Sequence, residues 1–386
     1  MFDTVSPLDR LLDIAAAARA SDVHLTADQV PLMRVDGDLR HIPEHAEPLT
    51  MNWLEPALSG MMPDDRFREF MESGEVDLSY SVPGVGRFRV NVYRQLGAIA
   101  VALRLIPSKV FSLDELGAPP ILRDLALKPR GLVLVTGPTG SGKSTTLTAM
   151  VDIINSSLPA HVITVEDPIE FQHTSRTALI HQREIGSDTA SFSEALRRVL
   201  RQDPDVILVG ELRDPESIST ALSAAETGHL VLSTLHTQGA AKSINRIVDA
   251  FPSHQQDQIR SQLGDTLQGI ISQTLLPRAQ TNGRTIATEV LVNTAAVANM
   301  IREGQIAQLY SALQAGSALG MHTLDQDLKR LVEEGTIAPQ VARTYAVDPS
   351  TLDDVRVRHR DIDADAWSGQ AEDWQPTRRA EASRWR

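Results

Sequence analysis

The run Gly137-Pro138-Thr139-Gly140-Ser141-Gly142-Lys143-Ser144-Thr145 fills every position of the pattern G-x-x-x-x-G-K-[ST]. Before it stands an apolar run, Leu132-Val133-Leu134-Val135, that reads as a buried parallel strand. After it, Leu147, Met150, Val151 and Ile154 recur at the spacing of one helix face. Strand, glycine-rich loop and helix in that order commit this part of the chain to an α/β layer. The glycines let successive backbone N–H groups wrap an anionic phosphate, and the positive end of the following helix dipole adds to the attraction. In such a loop Lys143 reaches the β- and γ-phosphates, and the Ser144 hydroxyl binds Mg²⁺ with Thr145 beside it. The sequence therefore predicts a nucleoside triphosphate site, ATP with Mg²⁺, and leaves open what the energy is used for.

Composition narrows the classes. The chain has 386 residues, enough for two domains with a tail, and 42% are hydrophobic, which argues against global disorder. With no cysteine, disulfides and Cys-ligated metal sites are excluded. Met1–Arg10 carries Asp3 and Asp9 and lacks the apolar core of a signal peptide. No stretch approaches the roughly 18 apolar residues a membrane helix needs. Together these predict a cytoplasmic protein. The formal net charge of −13 disfavours nucleic acid as a partner, because DNA affinity comes largely from Lys and Arg displacing counterions.

Residues 1–106 read as a small α+β domain. Leu8, Leu11, Leu12 and Ala15 recur at helical spacing. Strand-like pieces follow at Val23–Leu25, Leu32–Val35 and Arg87–Tyr93, with turn signals at Asp36-Gly37 and Pro83-Gly84. Residues 107–120, rich in Pro and Gly, read as a linker. From 121 to 346 strand and helix alternate. Candidate strands are Leu132–Val135, Val162–Val165, Val206–Val209, Leu230–Thr234 and Ile286–Val292. A helix is expected from Phe192 to Arg201 with Ser191 as its N-cap, and another through Ile259, Leu263, Leu267, Ile270 and Ile271. The expectation is a parallel sheet covered by helices on both faces, with the ligand at the C-terminal strand ends. Residues 347–386 change character, with many Asp and Arg, little periodicity and three tryptophans, Trp367, Trp374 and Trp385. This segment reads as a solvated, disordered extension, with an aromatic docking segment as the alternative.

Hydrolysis of a triphosphate needs carboxylates at strand ends beside the phosphate loop. Two places fit. The first strand end runs into Glu166-Asp167-Pro168-Ile169-Glu170-Phe171, the second into Gly210-Glu211-Leu212-Arg213-Asp214. In the second, Gly210 stands where an Asp is usual, which leaves Glu211 as the acidic group near Mg²⁺ and Glu166 as the residue that polarises the attacking water. A helix-capping role is the competing reading for each. His229 and His236 flank a further strand and are candidates to contact the γ-phosphate. Among the arginines, Arg87, Arg89, Arg94 and Arg104 lie late in the first domain, and Arg197, Arg198 and Arg201 form a competing set. Arg89 and Arg104 are the candidates to complete a neighbouring subunit's site.

In order and content these motifs resemble the secretion ATPases, the motors of type II secretion and type IV pili. The resemblance reaches to about Ala346 and includes Ala20-Ser21-Asp22-Val23-His24-Leu25 and Arg34-Val35-Asp36-Gly37. Ala296–Glu303 is similar to the A-I-R-N-L-I-R-E stretch of the pilus retraction branch, with departures at Val297, Ala298 and Met300. Gly320–Gln326 also resembles that branch, and the four-cysteine motif of assembly-type relatives is missing. The resemblance implies an N-terminal PAS-like domain, a RecA-like P-loop ATPase domain and a homo-hexamer. It implies Glu166 as the catalytic glutamate, His229 and His236 as a histidine box, and arginines of the first domain completing the site. The implied partner is the inner-membrane pilus platform protein, with the chain peripheral to the cytoplasmic face of that membrane. The implied work is pilus retraction and twitching motility. An accessory retraction ATPase acting beside a paralogous one, an assembly or type II secretion ATPase, a nucleic-acid translocase and a non-hydrolysing regulator are the alternatives.

Overall fold

The computed structural model describes residues 6–35, 37–43, 45–106, 110–281, 283–353 and 355. Part of the expected linker, Asp36 and the three tail tryptophans lie outside the described residues. The chain divides into two compact units. One holds the described residues up to Val110 together with Val165–Thr174 and Gln182–Ser191. The other holds Phe111–Thr164, Ser175–His181 and the described residues from Phe192 onward.

The first unit begins with α1 (Pro7–Ala17). The Ser6 side chain caps it by accepting from Asp9 N–H, proline sits in its first turn, and Leu8, Leu11, Leu12 and Ala15 form its buried face. Then come β1 (Asp22–Thr26), β2 (Leu32–Val35), β3 (Asp38–His41), α2 (Met51–Met61), α3 (Asp64–Ser73), β4 (Glu75–Val82), β5 (Gly86–Gln95) and β6 (Ala98–Ile106). The six strands form one antiparallel sheet in the order β3-β2-β1-β6-β5-β4. The expected turn at Pro83-Gly84 joins β4 to β5, with Val85 N–H bonded to Val82 O. Leu54, Leu58, Phe70, Phe88 and Val90 close the core with the α1 leucines. The helices α2 and α3 and the strands β3, β4 and β6 have no counterpart in the sequence-based expectation.

The second unit starts with α4 (Leu113–Leu116) and α5 (Ile121–Ala126). Its central segment runs β7 (Gly131–Thr136), α6 (Lys143–Ser157), β8 (His161–Glu166), β9 (Leu179–Glu184), α7 (Phe192–Val199), β10 (Val206–Val209), α8 (Pro215–Glu226) and β11 (Leu230–Leu235). It continues through α9 (Ala240–Asp249), α10 (Ser253–Thr266), β12 (Leu267–Pro277), β13 (Arg284–Val292), α11 (Ala295–Arg302), α12 (Leu309–Ala315), α13 (Leu324–Glu333) and α14 (Pro339–Tyr345). The sheet order is β13-β12-β7-β11-β10-β8-β9. The last residues of β8 and β9 group with the first unit. Strands β7, β10 and β11 are buried along their whole length, which is why each reads as a continuous apolar run rather than an alternating one. Leu122, Leu125 and Ala126 of α5 join Leu147, Met150, Val151 and Ile154 of α6 in the core beneath β7. Each such leucine contributes about 1.5–3 kcal/mol by leaving water.

Two expectations are corrected here. The helix predicted through Ile271 ends at Thr266, and Leu267, Ile270 and Ile271 belong to β12. β12 is covered on both faces, so its apolar residues follow no period-two alternation, and together with Ile259 and Leu263 they imitate a helical stripe. Gly269 fits there because a side chain would meet Leu125 and the Leu291 carbonyl at 3.0 Å. The second correction is that the sheet is not all parallel. β12 pairs with β7 in parallel, but β13 returns beside β12 as an antiparallel edge.

Candidate active site

The C-terminal ends of β7, β10 and β11 lie within the second unit. The phosphate loop leaves β7 at Gly137 and enters α6 at Lys143, with Gly137, Gly140 and Gly142 all at positive φ. At Gly137 a Cβ would stand 2.3 Å from the Gln273 carbonyl and 2.7 Å from Ser141 Oγ, so only glycine passes there. Around Gly140 nothing lies within 4 Å of such an atom, and the loop is open at its tip. The Lys143 ammonium bonds the carbonyls of Gly137 and Pro138, each at 3.0 Å, and lies along the loop it would serve. Ser144 and Thr145 are half-buried in the first turn of α6. Ser141 Oγ is buried without a hydrogen-bond partner among the described residues.

A residue that motif reading misses holds this loop in shape. Gln273 on β12 is buried, donates Nε2–H to Ser141 O at 2.7 Å, and accepts from Thr146 Oγ1 at 2.9 Å. One side chain thus ties the loop to the helix that follows it. Its partners stand more than a hundred residues away in sequence, so no local pattern marks it.

Beyond β10 and β11 the expected acid and imidazole meet. Ser233 Oγ and Thr234 Oγ1 of β11 donate to the carbonyls of Val209 (2.7 Å) and Gly210 (2.6 Å), which sets the exit of β10. Glu211 then stands 3.2 Å from His236 Nε2 and 2.7 Å from Arg213 Nε. His236 Nδ1 lies 3.4 Å from Thr139 Oγ1 of the phosphate loop. An imidazole therefore connects the loop to the acidic strand end. The segment after His236 is pinned in turn, with Gly239 N–H on Ser272 Oγ (2.8 Å) and Ala240 N–H on Glu289 Oε1 (2.7 Å). Burial pushes the Glu289 carboxyl above the ordinary carboxylate range despite that N–H.

His229 is elsewhere. It precedes β11, its Nδ1 facing the Ala224 carbonyl at 3.0 Å near the end of α8. A strand of this length separates it from His236 by about 20 Å, so the structure does not bring the two histidines together.

The remaining candidates belong to the first unit. Glu166 ends β8 and accepts from Gln182 Nε2 at 3.2 Å. Of the first unit's arginines, Arg87 is committed to Glu184 (2.8 Å) and Arg94 lies over the Phe70 ring. Arg89 and Arg104 sit directly opposite each other on β5 and β6. Arg104 donates to Asp22 Oδ1 at 2.8 Å. Burial alone would raise the Asp22 carboxyl, but the bonds from Arg104 and Ser21 outweigh it and hold it below its ordinary value. The Arg89 side chain is exposed and makes no hydrogen bond or ion pair among the described residues, while its backbone belongs to the sheet. In the competing set, Arg197 approaches Glu216 (3.4 Å) and Arg198 bonds Glu194 along its own helix.

A family model described as type II/IV secretion system protein matches residues 5–346. The chain is 50% identical over 345 residues to the type IV pilus retraction ATPase PilT of Pseudomonas aeruginosa, a match covering 89% of this chain and 99% of that protein. It is also 50% identical over 322 residues to a twitching motility protein of Neisseria gonorrhoeae, covering 83% and 86%. Among solved structures, the pilus retraction motor PilT with bound ADP is 43% identical with a TM-score of 0.81, covering 91% of this chain and 98% of that one. The chain belongs to the type II/IV secretion system protein family, among its retraction ATPases.

Proposed function

We propose that the protein hydrolyses ATP to drive retraction of type IV pili, and with it twitching motility. The observation that carries this reading is the cluster at the strand ends. A braced phosphate loop, an acidic group at the exit of β10, one strand beyond β11, and an imidazole touching both are what phosphoryl transfer requires of a protein. The loop fits a triphosphate: it has positive-φ glycines, an open tip, a lysine and the N-terminus of a helix of 15 residues. Gly137, Pro138, Thr139, Gly140, Ser141 and Gly142 form the cradle, and Lys143 neutralises the terminal phosphates. Ser144 is the residue to hold Mg²⁺, with Glu211 behind it; when bound, that ion offsets charge between the β- and γ-phosphates. Glu166 orients and polarises the attacking water. His236 senses the γ-phosphate, and its bond to Glu211 relays its presence to the exit of β10.

In this reading residues 1–106 are a PAS-like domain and 121–346 a RecA-like one. The working assembly is a homo-hexamer on the cytoplasmic face of the inner membrane, acting on the pilus platform protein. Arg89 and Arg104, on an exposed sheet face, are available to a second copy of the chain. No described helix is long and apolar enough to cross a membrane, which suits a peripheral engine.

The test is ATP hydrolysis by purified protein beside its Glu166→Gln variant. A fall in kcat of about 10²–10⁴ with nucleotide binding retained is expected. A variant that turns over at the parent rate removes the catalytic assignment. A particle that stays monomeric at all concentrations, with and without ATP, removes the ring.

A further inference from the structure

We propose that Gln182 is a positioning residue for ATP hydrolysis, its side-chain amide holding the Glu166 carboxylate in place and favouring its ionised form. This rests on the role given to Glu166 above.

Two hydrogen bonds fix which way the amide points. Gln182 accepts from His173 N–H at 2.8 Å through Oε1, and donates from Nε2 to Phe171 O at 2.8 Å. A backbone N–H can only donate and a carbonyl can only accept, so the amide cannot be turned over without losing both bonds. The same Nε2 lies 3.2 Å from Glu166 Oε1. Glu166 therefore faces an obligate donor. A donor aimed at a carboxylate favours the charged form and fixes its rotamer, and both are needed in a group that must polarise water.

A second side chain on the same face of β9 reinforces this. Glu184, two residues on and buried, accepts from Ile169 N–H at 3.0 Å, from Ser79 Oγ at 2.6 Å and from Arg87 at 2.8 Å. Gln182 and Glu184 together hold the segment after Glu166 at three backbone groups: Ile169 N, Phe171 O and His173 N. Glu184 anchors that segment to β4 and β5, and Gln182 touches the Glu166 carboxylate. Glutamine suits the place because it supplies an acceptor and two donors without adding charge.

Gln182→Met keeps the length of the side chain and removes every donor, and Gln182→Glu turns an acceptor toward Glu166. Both variants are measured in the full chain for kcat, KM for ATP and the pH dependence of kcat, with nucleotide binding as the check of folding. In Gln182→Met a fall in kcat of about 10–100-fold with KM nearly unchanged is expected, with the acid limb of the profile moving to higher pH. Gln182→Glu moves that limb further. In a Glu166→Gln background, Gln182→Met has no additional effect, because the group it positions is gone.

A Gln182→Met enzyme with parent kcat and acid limb overturns the proposal. So does one whose loss is the same with and without Glu166, since that marks a merely structural brace. If Glu166→Gln itself hydrolyses ATP at the parent rate, the catalytic assignment fails first. If Glu166→Gln is slow and Gln182→Met is normal, only the positioning role fails.

Discussion

Replacing Gln273 with methionine asks how much of the phosphate loop's shape comes from one side chain. The swap keeps volume and removes two buried hydrogen bonds, to Ser141 O at 2.7 Å and from Thr146 Oγ1 at 2.9 Å. A buried carbonyl left without its donor costs about 1–3 kcal/mol. The Thr146 hydroxyl loses less, because a helical threonine can turn to the carbonyl four residues back, here that of Gly142. The sum is about 2–4 kcal/mol. For a domain of this class that corresponds to a Tm lower by about 4–16 °C, read by calorimetry on nucleotide-free protein. The loss also falls on the loop itself, so nucleotide affinity drops with stability. Thr146→Val in the same background isolates one of the two bonds, and the double variant should cost less than the sum of the singles. A Gln273→Met protein with the parent Tm and the parent nucleotide affinity would show that this side chain does not hold the loop.

The same geometry separates two glycines. Gly137→Ala places a methyl group 2.3 Å from the Gln273 carbonyl and should abolish nucleotide binding, whereas Gly140→Ala meets no atom and costs only backbone strain of about 1–2 kcal/mol; equilibrium binding of a fluorescent nucleotide distinguishes them. His236→Phe removes the contacts to Thr139 and Glu211 and should erode the preference for ATP over ADP by about tenfold or more, measured by competition. Burial depresses the His173 imidazole to about 4, so the folded state binds fewer protons than the unfolded state between that value and the ordinary 6.5. Stability is then full above about pH 6.5 and falls as pH drops toward 4, by roughly 2–3 kcal/mol from this group. Urea denaturation at the two pH values should show the loss in the parent and a smaller one in His173→Phe.

What the sequence discloses is what lies contiguously along it. The phosphate loop, its strand and its helix are nine residues and their flanks, and the strands ending at Glu166, Val209 and Leu235 are short apolar runs because helices or neighbours cover both of their faces. Glu211 and His236 are legible because each follows such a run directly. Gln273, Gln182 and Glu184 are not, since a buried polar residue in a strand carries no local mark and its meaning comes from partners brought in by the fold. The error at β12 has the opposite origin, a strand buried on both faces whose apolar residues continue the spacing of the helix before it. His229 looks equivalent to His236 on paper because both flank one strand, yet a strand has two ends and only one of them faces the phosphate loop. Likewise, four arginines close in sequence part company once Arg87 is paired with Glu184 and Arg94 is laid on Phe70.

The most direct test of a retraction motor is the number of surface pili, counted by electron microscopy, on cells lacking this chain and on the same cells given back the parent or the Glu166→Gln form. Many pili and lost surface motility are expected without the chain, restored by the parent and not by Glu166→Gln. Bald cells would make the chain an assembly engine, and an unchanged count with normal motility would place its principal work elsewhere; neither result is compatible with a retraction motor.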